Sequence, residues 1–345
     1  MTTTTTTTTT ISSPTYPSLP AKLVLTSTKA YFSPSRTIAY LDSILDPENK
    51  ILPLLAAHRD QVLFVLIPDF LTIYPSAQTL TARFPPSASS SSSGAAAASA
   101  TAPATAPTAP ATAPATARAP APAPATTISN SSWPIALGAQ NAFQSTTYGA
   151  YTGEVVAPAL QELGCSVVEL NHAERRRLLG ETDESAAAKA AAVCALGMVP
   201  LVCVGEVDRP SDSAHGPLSR SVGLAIDQLT PQIEPVLRAV PLDAPVIFAY
   251  EPVWAIGAAE PAGVDYVGPV VQAIREIARR AVPGRTAEVK VVYGGSAGPG
   301  LWSGKANGGN GLGKWVDGLF LGRFAHHISG VRAVVEEVVE SLSKS

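Results

Sequence analysis

The chain has 345 residues, of which 15% are charged, and its formal net charge at pH 7 is −3. This length allows one large domain or two ordinary ones, and the slightly acidic balance argues against nucleic acid as the main partner, since phosphate binding favours a basic surface. No apolar run reaches the roughly 18 residues of a membrane span, and the 3 cysteines suit a reducing, cytoplasmic compartment better than a disulfide-stabilised fold.

Two segments have compositions that argue against packing. Residues 1–20 open with a run of threonines and have neither the basic nor the apolar region of a secretory signal, so we expect a disordered tail. Residues 85–132 are rich in Ala, Pro, Ser and Thr and carry a single charge, Arg118. Such a segment cannot offset its ordering entropy, which predicts a disordered low-complexity spacer. Because residues 21–84 contain only two strand-like runs, we favour an insert within one domain over a linker between two.

The rest of the chain alternates short apolar runs with helical stretches. Continuous hydrophobicity is typical of strands buried on both faces of a parallel sheet, and a 3.6-residue apolar period indicates the helices, as in residues 331–342. The runs are, in chain order, LVLT at 23–26, VLFVLI at 62–67, IALG at 135–138, VVEL at 167–170, PLVCV at 200–204, VIFAY at 246–250, VKVVY at 289–293 and GLFLG at 318–322. This pattern predicts a single (β/α)8 barrel over residues 21–345, interrupted by the 85–132 insert between helix 2 and strand 3. A doubly wound open sheet is the alternative.

Functional residues of such a barrel follow the carboxyl ends of its strands. The insert joins a helix to the next strand, so we expect it at the opposite face, away from the chemistry. The polar residues that follow the strands are Lys29 after the first, His172 and Glu174 after the fourth, Glu206 after the fifth, Glu251 after the sixth, Ser296 after the seventh and Arg323 after the eighth.

The motifs around these positions resemble the triosephosphate isomerase family over nearly the whole chain outside the tail and insert. They are GAQNAF at 138–143, GAYTGE at 149–154, ELNHAERRRLLGETDE at 169–184, VGE at 204–206, AYEPVWAIG at 249–257, YGGS at 293–296 and DGLFLG at 317–322. The specific part is AYEPVWAIG with HAERR upstream at barrel spacing. The resemblance implies a TIM barrel that interconverts dihydroxyacetone phosphate and glyceraldehyde 3-phosphate through an enediolate, in glycolysis and gluconeogenesis.

The resemblance and the chemistry of the residues agree on three catalytic candidates. Moving a carbonyl between adjacent carbons needs a base that carries one proton and an electrophile for the enediolate oxygen. Glu251 leaves a buried strand into an apolar loop and is the candidate base, since burial raises a carboxyl pKa. His172 opens a helix whose dipole favours the neutral ring, as in the well-studied members of this family, and Lys29 would hold a positive charge over the substrate. An ion-paired Glu251, a capping His172 and a surface Lys29 remain open alternatives.

The resemblance also implies a phosphate cradle and a lid, which here is residues 252–262. Glycines in the cradle would let backbone N–H groups approach an anion, and simple tight turns are the alternative. The substrate-binding candidates are Ser27, Gly257, Ser296, Gly322 and Arg323. The supporting candidates are Glu174 beside Lys29, Glu206 near the lid hinge at Trp254, and Tyr293, which with Ser296 would latch the lid.

Several positions depart from the usual family pattern. Ser27 stands where the family usually has asparagine, residues 258–260 at the lid tip read AAE, and Arg323 replaces the second glycine of the strand-eight pair. Ser27 and Arg323 together resemble the family's four-carbon branch, which isomerises erythrulose phosphate, so that substrate is an open alternative. A non-catalytic relative that acts as a binding protein is a third hypothesis, although the unchanged catalytic candidates argue against it.

The expected partners follow from the same resemblance. No metal or organic cofactor is implied, because enediol chemistry needs only an acid, a base and a dry pocket. His326 and His327 have no carboxylate or cysteine at ligand spacing and are expected as a surface pair. The family is homodimeric and the segment from Tyr148 to Thr152 matches its intersubunit loop, so we expect a homodimer with a small sugar-phosphate substrate and no nucleic-acid or membrane partner.

Overall fold

The computed structural model describes residues 14–86, 127–208, 218–258, 260–305 and 307–343, without the side chains of residues 218 and 219. Most of the predicted tail and insert therefore lies outside the described residues, and so does Ala259 at the lid tip. The predicted disorder of these segments stays a prediction.

Eight parallel strands close into a barrel, in which each strand pairs with its sequence neighbours and the eighth pairs with the first. The strands are β1 Lys22–Ser27, β2 Val62–Ile67, β3 Ala136–Ala139, β4 Val167–Leu170, β5 Val199–Val204, β6 Val246–Tyr250, β7 Val289–Tyr293 and β8 Gly318–Leu321. Every predicted apolar run overlaps one of these strands. The (β/α)8 prediction is therefore confirmed, and the open-sheet alternative is excluded because β1 and β8 are hydrogen-bonded.

Helices pack around the outside of the barrel. Within the described residues they are α1 Pro34–Leu45, α2 Ile51–Ala57, α3 Phe70–Arg83, α4 Ala157–Glu162, α5 Ala173–Leu179, α6 Asp183–Ala195, α7 Leu218–Ala239, α8 Val264–Ala281 and α9 Ile328–Leu342. The short α2 is an additional helix before β2, so the helix that precedes the insert is α3. None of the described helices combines the length and the apolarity needed to cross a bilayer.

Strand residues alternate between two buried environments. In β1, Leu23 and Leu25 belong to the cluster inside the barrel, whereas Val24 packs in the layer between the barrel and its helices. Burial of both faces explains why the strands read as continuous apolar runs. The period of two continues past the apolar residues and directs Ser27 of β1 and Glu169 of β4 toward the barrel axis.

The described ends of the predicted tail and insert contact the barrel. Tyr16 packs against the outer hydrophobic layer. Beyond the insert, the Ile128 N–H donates to the Glu162 carbonyl at 2.8 Å, and the Asn130 side chain donates to the Gly164 carbonyl at 2.9 Å. The described residues of the predicted tail and insert therefore have contacts with the rest of the domain, and the prediction of disorder now concerns only the residues outside the described ranges.

The close pairing of β1 and β8 predicts that Gly318 cannot be replaced by a larger residue without a cost in stability. A Cβ atom at Gly318 would lie 2.0 Å from the Leu23 carbonyl oxygen of the paired strand, so Gly318→Ala forces the β1 backbone to move. We expect a loss of about 1–3 kcal/mol in the free energy of unfolding, measured by urea denaturation. The matched control is Gly223→Ala in α7, where a Cβ meets nothing within 4 Å and where alanine is the better helix former. Equal denaturation midpoints for the two variants would contradict this account.

Candidate active site

A cavity of about 540 Å³ opens at the carboxyl ends of the strands. Most of the predicted site residues line it, namely Ser27, Lys29, His172, Glu174, Glu251, Gly257, Ser296, Gly322 and Arg323. The remaining three, Glu206, Trp254 and Tyr293, are absent from the cavity wall and contact the lid or its hinge. The barrel therefore brings together residues that are separated by nearly the whole chain.

Glu251 is a buried carboxylate at the end of β6, with 4% of its surface exposed. Its Oε2 atom has no hydrogen-bond partner, and no lysine or arginine of the described chain lies within ion-pair distance of it. Desolvation raises the pKa of Glu251 to about 8, with the charge of Lys29 opposing the shift and that of Glu169 adding to it. These properties suit a general base and disfavour the ion-paired alternative.

His172 caps α5 and faces Glu251 at the same time. Its Nδ1 atom accepts a hydrogen bond from the Glu174 N–H at 3.1 Å, which assigns the ring proton to Nε2. Nε2 lies 3.5 Å from Oε2 of Glu251. Burial and the nearby charge of Lys29 lower the pKa of His172 to about 4, so the ring is neutral and carries one N–H donor toward the cavity. The capping role and the electrophilic role are compatible.

Lys29 is held at the cavity wall by Glu174. Its Nζ atom lies 2.9 Å from Oε1 of Glu174, and its backbone is left-handed with φ 47°. Desolvation alone would lower the pKa of Lys29, but the Glu174 hydrogen bond and the charge of Glu251 outweigh it and raise the pKa. The ammonium is therefore a positive charge held at the cavity wall, with 23% of the side chain exposed, which disfavours the surface alternative.

Tyr293 on β7 and Ser296 in the loop after it hold the lid. The Ser296 hydroxyl lies 3.0 Å from the carbonyl oxygens of both Ala255 and Ala258. The Tyr293 hydroxyl accepts a hydrogen bond from the Ala262 N–H at 3.1 Å. The lid is thus tied near its middle and at its end, as the resemblance implied.

The lid hinge rests on Glu206, which is buried behind it. Oε1 of Glu206 accepts hydrogen bonds from Trp254 Nε1 at 2.8 Å and from the hydroxyls of Tyr266 at 2.9 Å and Tyr250 at 3.3 Å. Burial raises the pKa of Glu206 although these bonds lower it. The Glu206 carboxylate therefore holds Trp254 at the lid hinge, whereas Ser296 and Tyr293 bond to residues farther along the lid.

The rim of the cavity differs in detail from the expectation. Gly257 has φ +74°, so a tight turn does require this glycine, and its carbonyl accepts a hydrogen bond from Arg323 Nη2 at 2.8 Å. His326 and His327 were expected as a surface pair, and both line the cavity. His327 is exposed, whereas His326 is half-buried with its ring centroid 5.2 Å from that of Tyr31.

One acidic residue near the site was missed by the sequence analysis. Glu169 is buried on β4, with burial raising its pKa to about 7 and with Ser27 and Lys29 opposing the shift. In the sequence, Glu169 lies within the apolar run VVEL at 167–170. A carboxylate at an inward strand position, three residues before His172, is the sequence signal that could have identified it.

Comparisons with known proteins indicate a single family. The family model for triosephosphate isomerase matches residues 89–338, a range that begins after Ser27 and Lys29. L-erythrulose-1-phosphate isomerase of Pectobacterium atrosepticum is 42% identical over 59% of this chain and 72% of its own length. The protein of the same name from Mesorhizobium japonicum is 39% identical over 58% and 73%. Triosephosphate isomerase of Cutibacterium acnes is 39% identical over 50% and 64%.

The position of Glu169 predicts an electrostatic effect on the candidate base. Glu169→Gln removes a like charge that helps to raise the pKa of Glu251, so the midpoint of the Glu251 titration should move down from about 8. The measurement is carboxyl 13C NMR on glutamate-labelled protein, with the Glu251 signal assigned from Glu251→Gln. Glu169→Asp keeps the charge and is the control. Coincident Glu251 titrations in wild type and Glu169→Gln would refute the coupling.

Proposed function

The chain belongs to the triosephosphate isomerase family, and on that basis we propose that it is an aldose–ketose isomerase that moves a carbonyl group between neighbouring carbons of a phosphorylated short-chain ketose. The observation that carries the proposal is the pairing of an unpartnered, buried carboxylate at Glu251 with a neutral His172 whose Nε2 lies 3.5 Å away. A base and an uncharged hydrogen-bond donor side by side are what an enediolate mechanism requires.

In the proposed mechanism Glu251 carries one proton between two carbons. Its carboxylate removes the proton from the carbon beside the carbonyl, which forms the enediolate, and the resulting acid returns the proton to the former carbonyl carbon. His172 moves the second proton: its Nε2–H protonates the former carbonyl oxygen, and Nε2 then takes up the proton of the neighbouring hydroxyl, so the ring ends neutral. The Lys29 ammonium stabilises the negative charge that develops on these oxygens. No redox partner is needed, because one carbon is oxidised as its neighbour is reduced.

The lid and the cavity rim have separate roles in this proposal. Backbone N–H groups at Gly257, Ser296 and Gly322, together with Arg323, would hold the substrate phosphate. The lid would exclude water and keep the enediolate from expelling its phosphate. The bonds from Ser296 and Tyr293 to the lid support this role because they keep it over the cavity.

For the substrate we propose a four-carbon ketose phosphate of the erythrulose phosphate type. In erythrulose 1-phosphate the carbonyl moves between C2 and C3, so the product is a second ketose phosphate, formed by the same enediolate step that interconverts an aldose and a ketose in the three-carbon case. Two observations favour it: Ser27 and Arg323, the positions that depart from the triose pattern, both line the cavity, and several relatives at 36–42% identity are named L-erythrulose-1-phosphate isomerase. The second candidate is the three-carbon pair of glycolysis and gluconeogenesis, which is favoured by the family model and by relatives named triosephosphate isomerase. A purely binding function has no comparable support, since the candidate base and donor are both in place.

The substrate assignment is tested by comparing kcat/KM for erythrulose 1-phosphate and for glyceraldehyde 3-phosphate on the same preparation. We expect turnover of both sugars to depend on Glu251, with Glu251→Gln lowering kcat by about 10²–10⁴-fold because the proton carrier is lost. Glu48→Gln, at an exposed position, is the matched control and should match wild type. A higher value for the triose would transfer the assignment to the second candidate, and activity that survives Glu251→Gln would overturn the mechanism.

We further propose that the protein is a homodimer through the loop from Tyr148 to Thr152. Tyr148 and Tyr151 are 56% and 37% exposed, and the loop is braced by the packing of the Tyr151 ring on Phe143 at 4.8 Å. Exposed aromatic side chains on a braced loop are typical of an interface.

The free, buried cysteines support our proposal of a cytoplasmic location.

Light scattering at micromolar concentration should give twice the chain mass of 35.5 kDa. Tyr148→Glu would bury a charge at the proposed interface and should shift the mass toward that of one chain. Leu242→Glu, at an exposed position in the turn before β6, is the control and should leave the mass unchanged. A wild-type mass of one chain would contradict the dimer.

A further inference from the structure

We propose that Arg323 couples the substrate phosphate to the lid, by holding the lid with one N–H group and the phosphate with others. This role goes beyond a phosphate contact, because it makes the state of the lid depend on whether the phosphate is bound. The inference rests on the proposed function for the identity of the substrate, but the contact between Arg323 and the lid does not.

The contact spans the cavity mouth. Arg323 follows β8, whereas the lid follows β6, and Nη2 of Arg323 donates to the carbonyl oxygen of Gly257 at 2.8 Å. The other side chains that hold the lid are Glu206 at the hinge, Tyr293 on β7 and Ser296 just after β7. Arg323 holds the lid from the side of β8, near the tip, and both Gly257 and Arg323 line the cavity.

The Arg323 guanidinium has N–H donors beyond the one that bonds to Gly257. It carries five N–H groups in a rigid fork. Within the described ranges, the backbone carbonyl of Gly257 is the only hydrogen-bond partner of the Arg323 side chain. No carboxylate in that part of the chain lies within ion-pair distance of it. An unneutralised guanidinium on a cavity wall suits a phosphate, which it binds bidentately.

The surroundings of Arg323 favour an anion further. Lys29, His326 and His327 line the same cavity. Burial is the main cause that lowers the pKa of His326, and nearby positive charges, Arg323 and Lys29 among them, add to it. The carboxylates of Glu174 and Glu251 also line the cavity, but neither lies within ion-pair distance of Arg323. A bound phosphate dianion would offset the positive charge of Arg323 and fix the orientation of the guanidinium. With the guanidinium already ordered, its bond to Gly257 costs less conformational entropy, so phosphate binding favours the closed lid. By linkage the closed lid must favour the phosphate equally.

The same geometry distinguishes Arg323 from a glycine at this position. A glycine would offer the phosphate only its backbone N–H, close to the end of β8. The arginine side chain instead reaches the lid at the Gly257 carbonyl, so it can hold the phosphate and the lid together.

The coupling is tested without substrate, with inorganic phosphate as the probe and 19F NMR of protein labelled with 5-fluorotryptophan as the readout. Trp254 lies in the lid hinge, and its resonance is assigned from Trp254→Phe. We expect phosphate to shift this resonance in wild type. In Arg323→Met we expect phosphate affinity to fall at least about tenfold, as for loss of a charge-assisted bond, and the shift to be lost even at saturation. Arg238→Met, an exposed arginine on α7, is the matched control.

Arg323→Lys separates the two contacts, because it keeps the charge but not the fork. We expect it to retain part of the phosphate affinity and to lose the response of Trp254. A normal Trp254 response in Arg323→Met would overturn the proposal, and so would weakened phosphate binding with the response intact at saturation, since Arg323 would then be a phosphate ligand only.

Kinetics give an independent readout on the preferred ketose phosphate. Arg323→Met should raise KM about tenfold or more and increase the inorganic phosphate released per isomerisation, because an unsecured lid lets the enediolate expel its phosphate. Unchanged KM and phosphate release would contradict the coupling. If the wild type turned over neither ketose phosphate but Arg323→Met still abolished the Trp254 response, the proposed function would fail and the role of Arg323 would stand.

Discussion

Desolvation of the Glu251 carboxylate is the constraint on which the site depends. A buried carboxylate without a partner is costly, and at the end of β6 its Oε2 atom has none. The charge of Lys29 offsets part of the cost of burying the Glu251 carboxylate. It does so without a direct bond, because the Lys29 ammonium is bonded to Glu174. This arrangement leaves Glu251 basic, whereas a direct Lys29 contact would hold its pKa down. Glu174 thus contributes to the basicity of Glu251 by occupying the lysine.

The same low-dielectric pocket gives opposite shifts to two neighbouring groups. Burial raises the pKa of Glu251 and lowers that of His172, because in both residues it disfavours the charged form. Glu251 accepts protons more readily, and the His172 ring stays neutral with its Nε2 3.5 Å from Glu251 Oε2. Two complementary chemical roles therefore come from one physical cause, and they require that the lid keep water out.

The lid connects this pocket to the rim. Glu206 holds the hinge, Ser296 and Tyr293 hold the middle and the end of the lid, and Arg323 holds Gly257 from the side of β8. The departures from the usual family pattern lie at this rim and at Ser27, while Glu251, His172 and Lys29 keep the family's residues. In the proposed function, the chemistry therefore depends on Glu251, His172 and Lys29 at the strand ends, and substrate choice depends on the rim loops together with Ser27 at the end of β1.

The sequence by itself determined the barrel, the strands and the set of strand-end residues, because burial on both faces and the βα alternation are local properties of the chain. The predicted third run at 135–138 differs from β3 Ala136–Ala139 by one residue, and Glu251 and His172 were identified from motif and spacing. Only the tertiary structure decided that Glu169 lies close enough to raise the pKa of Glu251, that His326 packs against Tyr31, and that Arg323 reaches the lid. These relations join residues on different strands and loops, and their distances depend on how the barrel closes and how the loops fold over it. No pattern along the chain encodes them.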